Sequence, residues 1–145
     1  MAVVRASTPQ ERMDLLAYMA RKIGIAPQEL VGAMPFEIVA VTRAGRAMGA
    51  VLYINFRGQS IEMSSAGNPG WLTRANLREI FAYPFEQLKC LRVWGVARAD
   101  NTKACRLNEK LGFKRLAELE DEFGEGEHGV LYSMSRRNCR WISKG

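Results

Sequence analysis

Three β-type runs follow one another closely between residues 36 and 65. They are FEIVAVTR (36–43), AMGAVLYINFR (47–57) and QSIEMSS (59–65), and Ala44-Gly45 and Gly58 stand between them. Glycine at this spacing is typical of tight hairpin turns. Connections this short join antiparallel neighbours, because a parallel pair needs a crossover of about a dozen residues or more. The sequence therefore predicts an antiparallel meander at the centre of the fold.

Helical patterns lie on both sides of this meander. Ser7-Thr8-Pro9 with Glu11 predicts a capped helix start after a short strand at Ala2 to Arg5, and the helix is predicted to run to Gly24. The segment around Pro27 and Pro35 is interpreted as irregular. Apolar spacing from Trp71 to Leu88 predicts a further helix, which Pro84 should kink or end early.

The last helical pattern is NTKACRLNEKLGF, Asn101 to Phe113, after an apolar run from Cys90 to Ala97 that is typical of a buried strand. Ala104, Leu107 and Leu111 share one helix face, and Gly112 can end the helix in the left-handed conformation. Phe113 is first interpreted as a core aromatic. The runs 114–122 and 129–135 then predict a hairpin around the acidic turn Gly124 to Glu127.

The chain of 145 residues is 48% hydrophobic, which is enough for a single core. We expect one mixed α/β domain over residues 1–145, with a mostly antiparallel sheet of six to seven strands. Residues 136–145 form a basic tail, and Trp141 is expected to pack back on the domain.

Twenty-one Lys and Arg against 15 Asp and Glu give a net charge of +6. This charge suits a phosphorylated cofactor, a nucleic acid or an acidic protein, but a merely solvated basic surface explains it equally well. The basic residues are scattered apart from a small cluster in the tail, which weakens the nucleic-acid interpretation.

Cys90, Cys105, Cys139 and the single His128 lack the spacing of a zinc site or a disulfide framework, so we expect no metal and reduced thiols in the cytoplasm. No apolar run approaches the roughly 18 residues of a membrane span, so no membrane partner is expected.

The segment Ala66-Gly67-Asn68-Pro69-Gly70 precedes a predicted helix. Glycines let a ligand approach the backbone, and the free N–H groups at a helix start favour a phosphate. An ordinary turn is the alternative interpretation. Asn101 likewise either caps the helix that follows it or offers its amide to a ligand.

The run Asn101-x-x-Ala104-x-x-Leu107-x-Glu109-Lys110-Leu111-Gly112-Phe113, after a glycine loop, a helix and a strand, resembles the GNAT superfamily of acyl-CoA-dependent N-acetyltransferases. It is most similar to the branch that acetylates the N-termini of ribosomal proteins and related amines. The order of elements fits from Val3 to about Ser135. The residue-level similarity is concentrated between Leu91 and Phe113.

The resemblance implies that two central strands splay apart and that the pantetheine arm of acetyl-CoA enters the wedge. The arm would bond to the strand Ile61 to Ser65, which includes Met63, and Asn101 would face it. The pyrophosphate would rest on the loop and the helix start. The residues implied there are Gly67, Asn68, Gly70, Trp71, Leu72 and Thr73.

Two departures from the family pattern concern the chemistry. Only Gly70 matches the usual loop motif, so Arg74 or Lys103 would supply charge for the phosphates. Asn108 stands where many members carry the tyrosine that protonates the leaving thiolate. Ser64, Ser65 or a water would have to replace it, or the activity is slow or absent.

Acyl transfer to an amine needs a base that removes a proton from the incoming ammonium. Glu62, beside the implied thioester, is the predicted base, with Glu37 and His128 in reserve. The alternative is that Glu62 points to solvent from the other face of its strand. Backbone N–H groups near Met63 and Ser64 would polarise the thioester carbonyl.

Three functions remain open on the sequence. The first is an N-acetyltransferase that acts on a primary amine of a protein, peptide or small molecule. The second is a CoA-binding module without turnover, and the third is a nucleobase-modifying protein. The acceptor is expected to contact the segment 24–35 and the hairpin turn 124–127, and the protein to be a monomer or homodimer.

Overall fold

The computed structural model describes residues 1–142, and the tight turns join neighbouring antiparallel strands as predicted. Strands β2 (Phe36–Arg43), β3 (Arg46–Ile54) and β4 (Ser60–Gly67) form the meander. Ala44 and Gly45 both have positive φ, 51° and 77°, which is the twist that a two-residue hairpin turn requires.

Within residues 1–142, seven strands form one sheet in the order β1-β2-β3-β4-β5-β7-β6. Every neighbouring pair is antiparallel except β4 and β5. The prediction of a mixed α/β domain with a mostly antiparallel sheet is confirmed. The remaining strands are β1 (Ala2–Arg5), β5 (Arg92–Arg98), β6 (Lys114–Gly124) and β7 (Glu127–Ser135).

Helices cover both faces of the sheet, and each face has its own core. α1 (Pro9–Ile23) and α2 (Pro27–Val31) pack on the face that carries Ile38, Leu52 and Ile54. α3 (Arg74–Ala82) and α4 (Thr102–Leu111) pack on the opposite face, which carries Val51, Ile61 and Val93. None of the helices within residues 1–142 is long and apolar enough to span a bilayer.

The element boundaries correct three predictions. The segment after Gly24 is not irregular throughout, because Pro27 occupies the first turn of α2, where a missing N–H costs nothing. The helix after the loop begins at Arg74 instead of Trp71, since the Thr73 hydroxyl caps it. Gly67 belongs to β4 and not to the loop.

Pro84 and Trp141 lie where the sequence predicts them. The α-helical part of α3 ends at Ala82, and Pro84 lies in a π-helical turn, Tyr83–Gln87, that follows it. The Trp141 Nε1–H donates to the carbonyl oxygen of Leu111 at 2.9 Å, which fixes the tail against the end of α4. Tail residues 143–145 lie outside the described residues.

Candidate active site

The site begins where two parallel strands part. β4 and β5 are paired only at Ser60–Arg92, Ile61–Val93 and Glu62–Trp94. Beyond these pairs β4 continues beside β3, and β5 continues beside β7, so that the two strands no longer bond to each other. The sheet therefore opens into a wedge immediately after Glu62, as the resemblance implied.

A cavity of about 600 Å³ fills this wedge. Its lining comes from both faces of the sheet, from α3 and α4 on one side and from the α1–α2 connection on the other. The cavity therefore passes through the sheet, and two ligands can approach the wedge from opposite faces. The predicted site residues in its lining are Glu62, Met63, Ser64, Ser65, Trp71, Leu72, Asn101 and Asn108.

Glu62 is partly buried and lines the cavity, so the alternative that it points to bulk solvent is wrong. Its Oε1 accepts a hydrogen bond from Asn55 Nδ2 at 2.8 Å. Burial raises the pKa of the Glu62 carboxyl above its usual range, the Asn55 hydrogen bond opposes the rise, and the charge of Glu122 adds to it. A carboxylate with a raised pKa is a stronger base than one in water.

Asn55 directly follows β3 and has a φ of 56°, a left-handed conformation that Asn adopts more readily than most residues. Its backbone conformation and its bond to Glu62 together fix the carboxylate at the point where β4 and β5 part. The sequence did not single out Asn55, because its bond to Glu62 depends on the register in which β3 and β4 pair.

The residues after Glu62 alternate between the two faces. Glu62 and Ser64 pair with Ile54 and Leu52, which face α1 and α2, whereas Met63 pairs with Tyr53 on the side of α3 and α4. Ser64 therefore shares the face of the predicted base. Met63 and Ser65 share the opposite face.

Backbone hydrogen bonds hold the loop after β4 in place. The Asn68 N–H donates to Met48 O at 2.8 Å, and the Trp71 N–H donates to Asn68 O at 3.3 Å. These two N–H groups already have acceptors, which counts against their predicted contact with a pyrophosphate. The Asn68 side chain accepts a bond from Lys22 of α1.

Trp71 is buried and its ring covers the backbone of two neighbouring strands. A Cβ atom at Gly49 or at Gly67 would collide with the indole ring. The glycine at position 67 thus makes room for Trp71, in place of the ligand that the sequence suggested. Gly67, Asn68, Gly70 and Thr73 are not part of the cavity lining.

Thr73 caps α3, because its Oγ1 accepts the Asn76 N–H at 3.1 Å. Gly70 has a φ of 83°, a left-handed conformation that favours glycine. A Cβ atom at this position would contact no other residue, so the backbone conformation and not a lack of space accounts for the glycine. The first turn of α3 presents its N-terminal N–H groups and the positive end of its dipole beside Leu72, which lines the cavity.

Asn101 and Asn108 lie on the cavity side of α4. Asn101 Oδ1 accepts the Ala104 N–H at 3.1 Å, so the capping interpretation is confirmed and its carbonyl is occupied. Gly112, with a φ of 108°, ends the helix as predicted.

The reserve bases lie elsewhere. Glu37 pairs with Arg12 at 3.5 Å, and His128 Nδ1 accepts the Asp121 N–H at 3.1 Å. Neither side chain lines the cavity. Within residues 1–142, no group of three or more His, Cys, Asp or Glu side chains is arranged to hold a metal ion.

Several lining residues were not predicted as site residues, and they come from strands distant in sequence. Trp94 pairs with Glu62 across the last β4–β5 contact, and Arg98 lies at the end of β5. Glu122 and Phe123 arrive from the end of β6. A strand pattern assigns these side chains to a face but does not say which strand lies beside which.

The fold is that of the GNAT acetyltransferases. A chimera of the Vibrio cholerae spermidine N-acetyltransferase SpeG and hSSAT matches with a TM-score of 0.70 and 19% identity, over 94% of this chain and 98% of that one. A Desulfovibrio desulfuricans protein described as a GNAT-family acetyltransferase matches with a TM-score of 0.69 and 15% identity, over 92% and 98%.

A third structure, described as an acetyltransferase, matches with a TM-score of 0.66 and 21% identity over 77% of this chain, which spans 63% of that longer chain. No family model matches the sequence, and no curated protein is similar to it. At these identities the likeness concerns the fold.

Proposed function

We propose that this protein is an N-acetyltransferase that moves an acetyl group from acetyl-CoA to a primary amine by direct attack of the amine on the thioester. The supporting observation is the position of Glu62, a carboxylate with a raised pKa at the point where β4 and β5 part. A base at the apex of a cavity open to both faces serves a reaction between two ligands.

The residues present fit acetyl-CoA. A cavity of about 600 Å³ is within the usual range of small-molecule sites. Within residues 1–142, no strand lies beside the edge that β4 turns toward the wedge, from Met63 to Ser65. The backbone of this edge would therefore bond an amide-containing arm as a strand would.

The phosphates would lie at the first turn of α3. The Asn76 N–H of this turn is taken by the Thr73 hydroxyl, but the N–H groups before it and the side chain of Arg74 suit an anion. We assign this role to the helix start in preference to the N–H groups of Asn68 and Trp71, which bond within the loop. Lys103 at the start of α4 would add positive charge.

Glu62 would take a proton from the incoming ammonium, directly or through a water, so that the amine attacks as a neutral nucleophile. Acetyl-CoA supplies an activated acyl group. The new C–N bond would replace the C–S bond, the nitrogen would release its second proton to a hydroxyl or a water in the cavity, and the leaving thiolate would take up a proton. Asn108 has no acidic proton to give. Ser64, Ser65 or a water in the cavity would therefore donate that proton.

The test replaces Glu62 by Gln, which keeps the shape and removes the base. We expect turnover to fall about 100-fold or more while the affinity for acetyl-CoA changes little. Glu37→Gln serves as the control, since Glu37 lies outside the cavity. If Glu62→Gln turns over as fast as the wild type, Glu62 is not the general base.

The second candidate is a CoA-binding module that does not turn over. The observation in its favour is Asn108, which lines the cavity at the position of the family's tyrosine. This candidate predicts that acetyl-CoA binds but that no amine releases the thiol. A nucleobase acceptor is disfavoured by the carboxylates in the cavity lining, which would repel a polyanion.

Two classes of primary amine are candidate acceptors. Peptide N-termini of the kind used by the ribosomal-protein branch and small amines such as spermidine, which SpeG is named for, both present a primary amine. We expect the reaction to take place in the cytoplasm, with the protein as a monomer or homodimer.

A further inference from the structure

The lining of the cavity has a charge opposite to that of the whole protein. The charged side chains in the cavity lining are Glu29, Glu62, Glu122 and Arg98. Arg98 already bonds to Glu127 and lies 3.5 Å from Asp100, so carboxylates outside the cavity balance its charge. In a chain with a net charge of +6, this acidic lining is a local property and does not follow from composition.

Two of these carboxylates already have a role, one as the proposed base and one as a hydrogen-bond acceptor. Glu62 is the proposed base, and Glu29 Oε1 accepts the Ala26 N–H at 3.2 Å at the start of α2. Glu122 takes part in none of the ion pairs found within residues 1–142. Its carboxylate is exposed at the mouth of the cavity, close enough to add to the rise in the pKa of Glu62.

The local backbone places Glu122 toward the cavity. A Cβ atom at Gly129 would lie 3.1 Å from Glu122 Cβ, so the Glu122 side chain lies directly against the bare backbone of Gly129 on β7. Gly129 pairs with Arg98, which is itself part of the cavity lining. On the other wall, Ile23, Ile25 and Leu30 are apolar and suit the methylene groups of an aliphatic stem.

We propose that Glu122 determines acceptor specificity by holding a second positive charge, so that the acceptor is a primary aliphatic amine that carries a further cationic group. This inference rests on the proposed acetyltransferase function. The amine near Glu62 loses its charge in order to react, whereas the second cation stays charged and needs an anionic partner. Glu122 is the carboxylate in the lining that is free to be that partner.

The test uses three amines that share a four-carbon chain and differ at its far end. 1,4-Diaminobutane ends in an ammonium, butylamine in a methyl group, and 4-aminobutyrate in a carboxylate. We expect kcat/KM to be highest for the diamine and lowest for the amino acid. Glu122→Gln should lower the value for the diamine about fivefold and leave the value for butylamine within about twofold, as expected for one partly exposed ion pair.

Butylamine also reports on the indirect effect of Glu122. Removal of the Glu122 charge lowers the pKa of Glu62, and that change affects all three amines alike. Glu120→Gln makes the same charge change on the same strand at a residue outside the cavity lining, and it should leave the order of the three amines unchanged.

Two results would overturn the inference while acetyl transfer stands. One is an equal loss for all three amines in Glu122→Gln, and the other is a wild-type enzyme that prefers butylamine or the amino acid. A protein that binds no acetyl-CoA, or that releases no thiol with any amine, would refute the proposed function and this inference with it.

Discussion

Asn55 and Glu62 form the pair on which the proposed chemistry depends. The Asn55 Nδ2–H bonds to Glu62 Oε1 at 2.8 Å and stabilises the charged form of the carboxylate. Burial acts in the opposite direction and dominates, so the pKa of Glu62 stays above its usual range. The balance between these two effects sets the lowest pH at which the base is available.

Loss of the Asn55 amide should therefore shift the pH profile. Asn55→Gly removes the hydrogen bond while glycine tolerates the φ of 56°. We expect the pKa of Glu62 to rise, so that the acidic limb of kcat/KM moves to higher pH. Ala44→Gly, also at a left-handed position, is the control and should leave the limb in place. If the acidic limb does not move in Asn55→Gly, the limb does not report the titration of Glu62.

Glu62 is also expected to destabilise the fold at neutral pH. Because its pKa is raised in the folded state, the unfolded chain loses the proton first as the pH rises, and the free energy of unfolding falls through that range. Glu62→Gln should therefore be more stable than the wild type at pH 7 and nearly equal to it at about pH 3, where the carboxyl is protonated in both states.

Urea unfolding of both proteins at the two pH values measures this difference. Glu120→Gln controls for the general loss of a negative charge, because Glu120 is exposed on β6. If Glu62→Gln is less stable than the wild type by the same amount at both pH values, the change reflects altered packing. The expected destabilisation by the ionised Glu62 carboxylate is then wrong.

At the level of elements, Trp71 joins the loop after β4 to strands β3 and β4. Its ring occupies the space that side chains at Gly49 and Gly67 would need. The loop in turn leads into α3, whose first turn carries the proposed phosphate site. The packing of one indole ring therefore positions the start of the helix.

Gly49→Ala should displace this ring and cost about 1–3 kcal/mol in the free energy of unfolding. The cost should be much smaller in a Trp71→Leu background, where the colliding ring is absent, so the two changes will not be additive. Chemical denaturation of the four proteins in this cycle measures the coupling. Additive effects would show that the ring does not occupy the space above Gly49.

Local signals predicted the elements, and long-range pairing produced the site. Ala44-Gly45 and the Thr8 cap are encoded within a few residues, so the meander and α1 were predicted correctly. The start of the helix at Thr73 was missed because Trp71 fits a helical pattern but is used for tertiary packing. Propensity gives way to packing at such positions.

At the level of the whole molecule, the site depends on one parallel contact in an otherwise antiparallel sheet. Glu62 was selected from the resemblance, but its neighbours Trp94 and Glu122 come from β5 and β6, and no spacing in the sequence relates them. The pairing of β4 with β5 brings Trp94 beside Glu62, and the pairing of β5 with β7 and of β7 with β6 places β6 nearby. The acidic lining of the cavity is a property of the folded chain.

The most direct test of the central claim is calorimetric titration of acetyl-CoA into the purified protein, with free thiol followed in parallel as primary amines are added. We predict saturable binding at one site per chain and thiol release that depends on the amine. Binding without release from any amine would contradict the proposed catalysis and favour a CoA-binding module. Absence of binding would contradict the assignment of the wedge between β4 and β5 as an acetyl-CoA site.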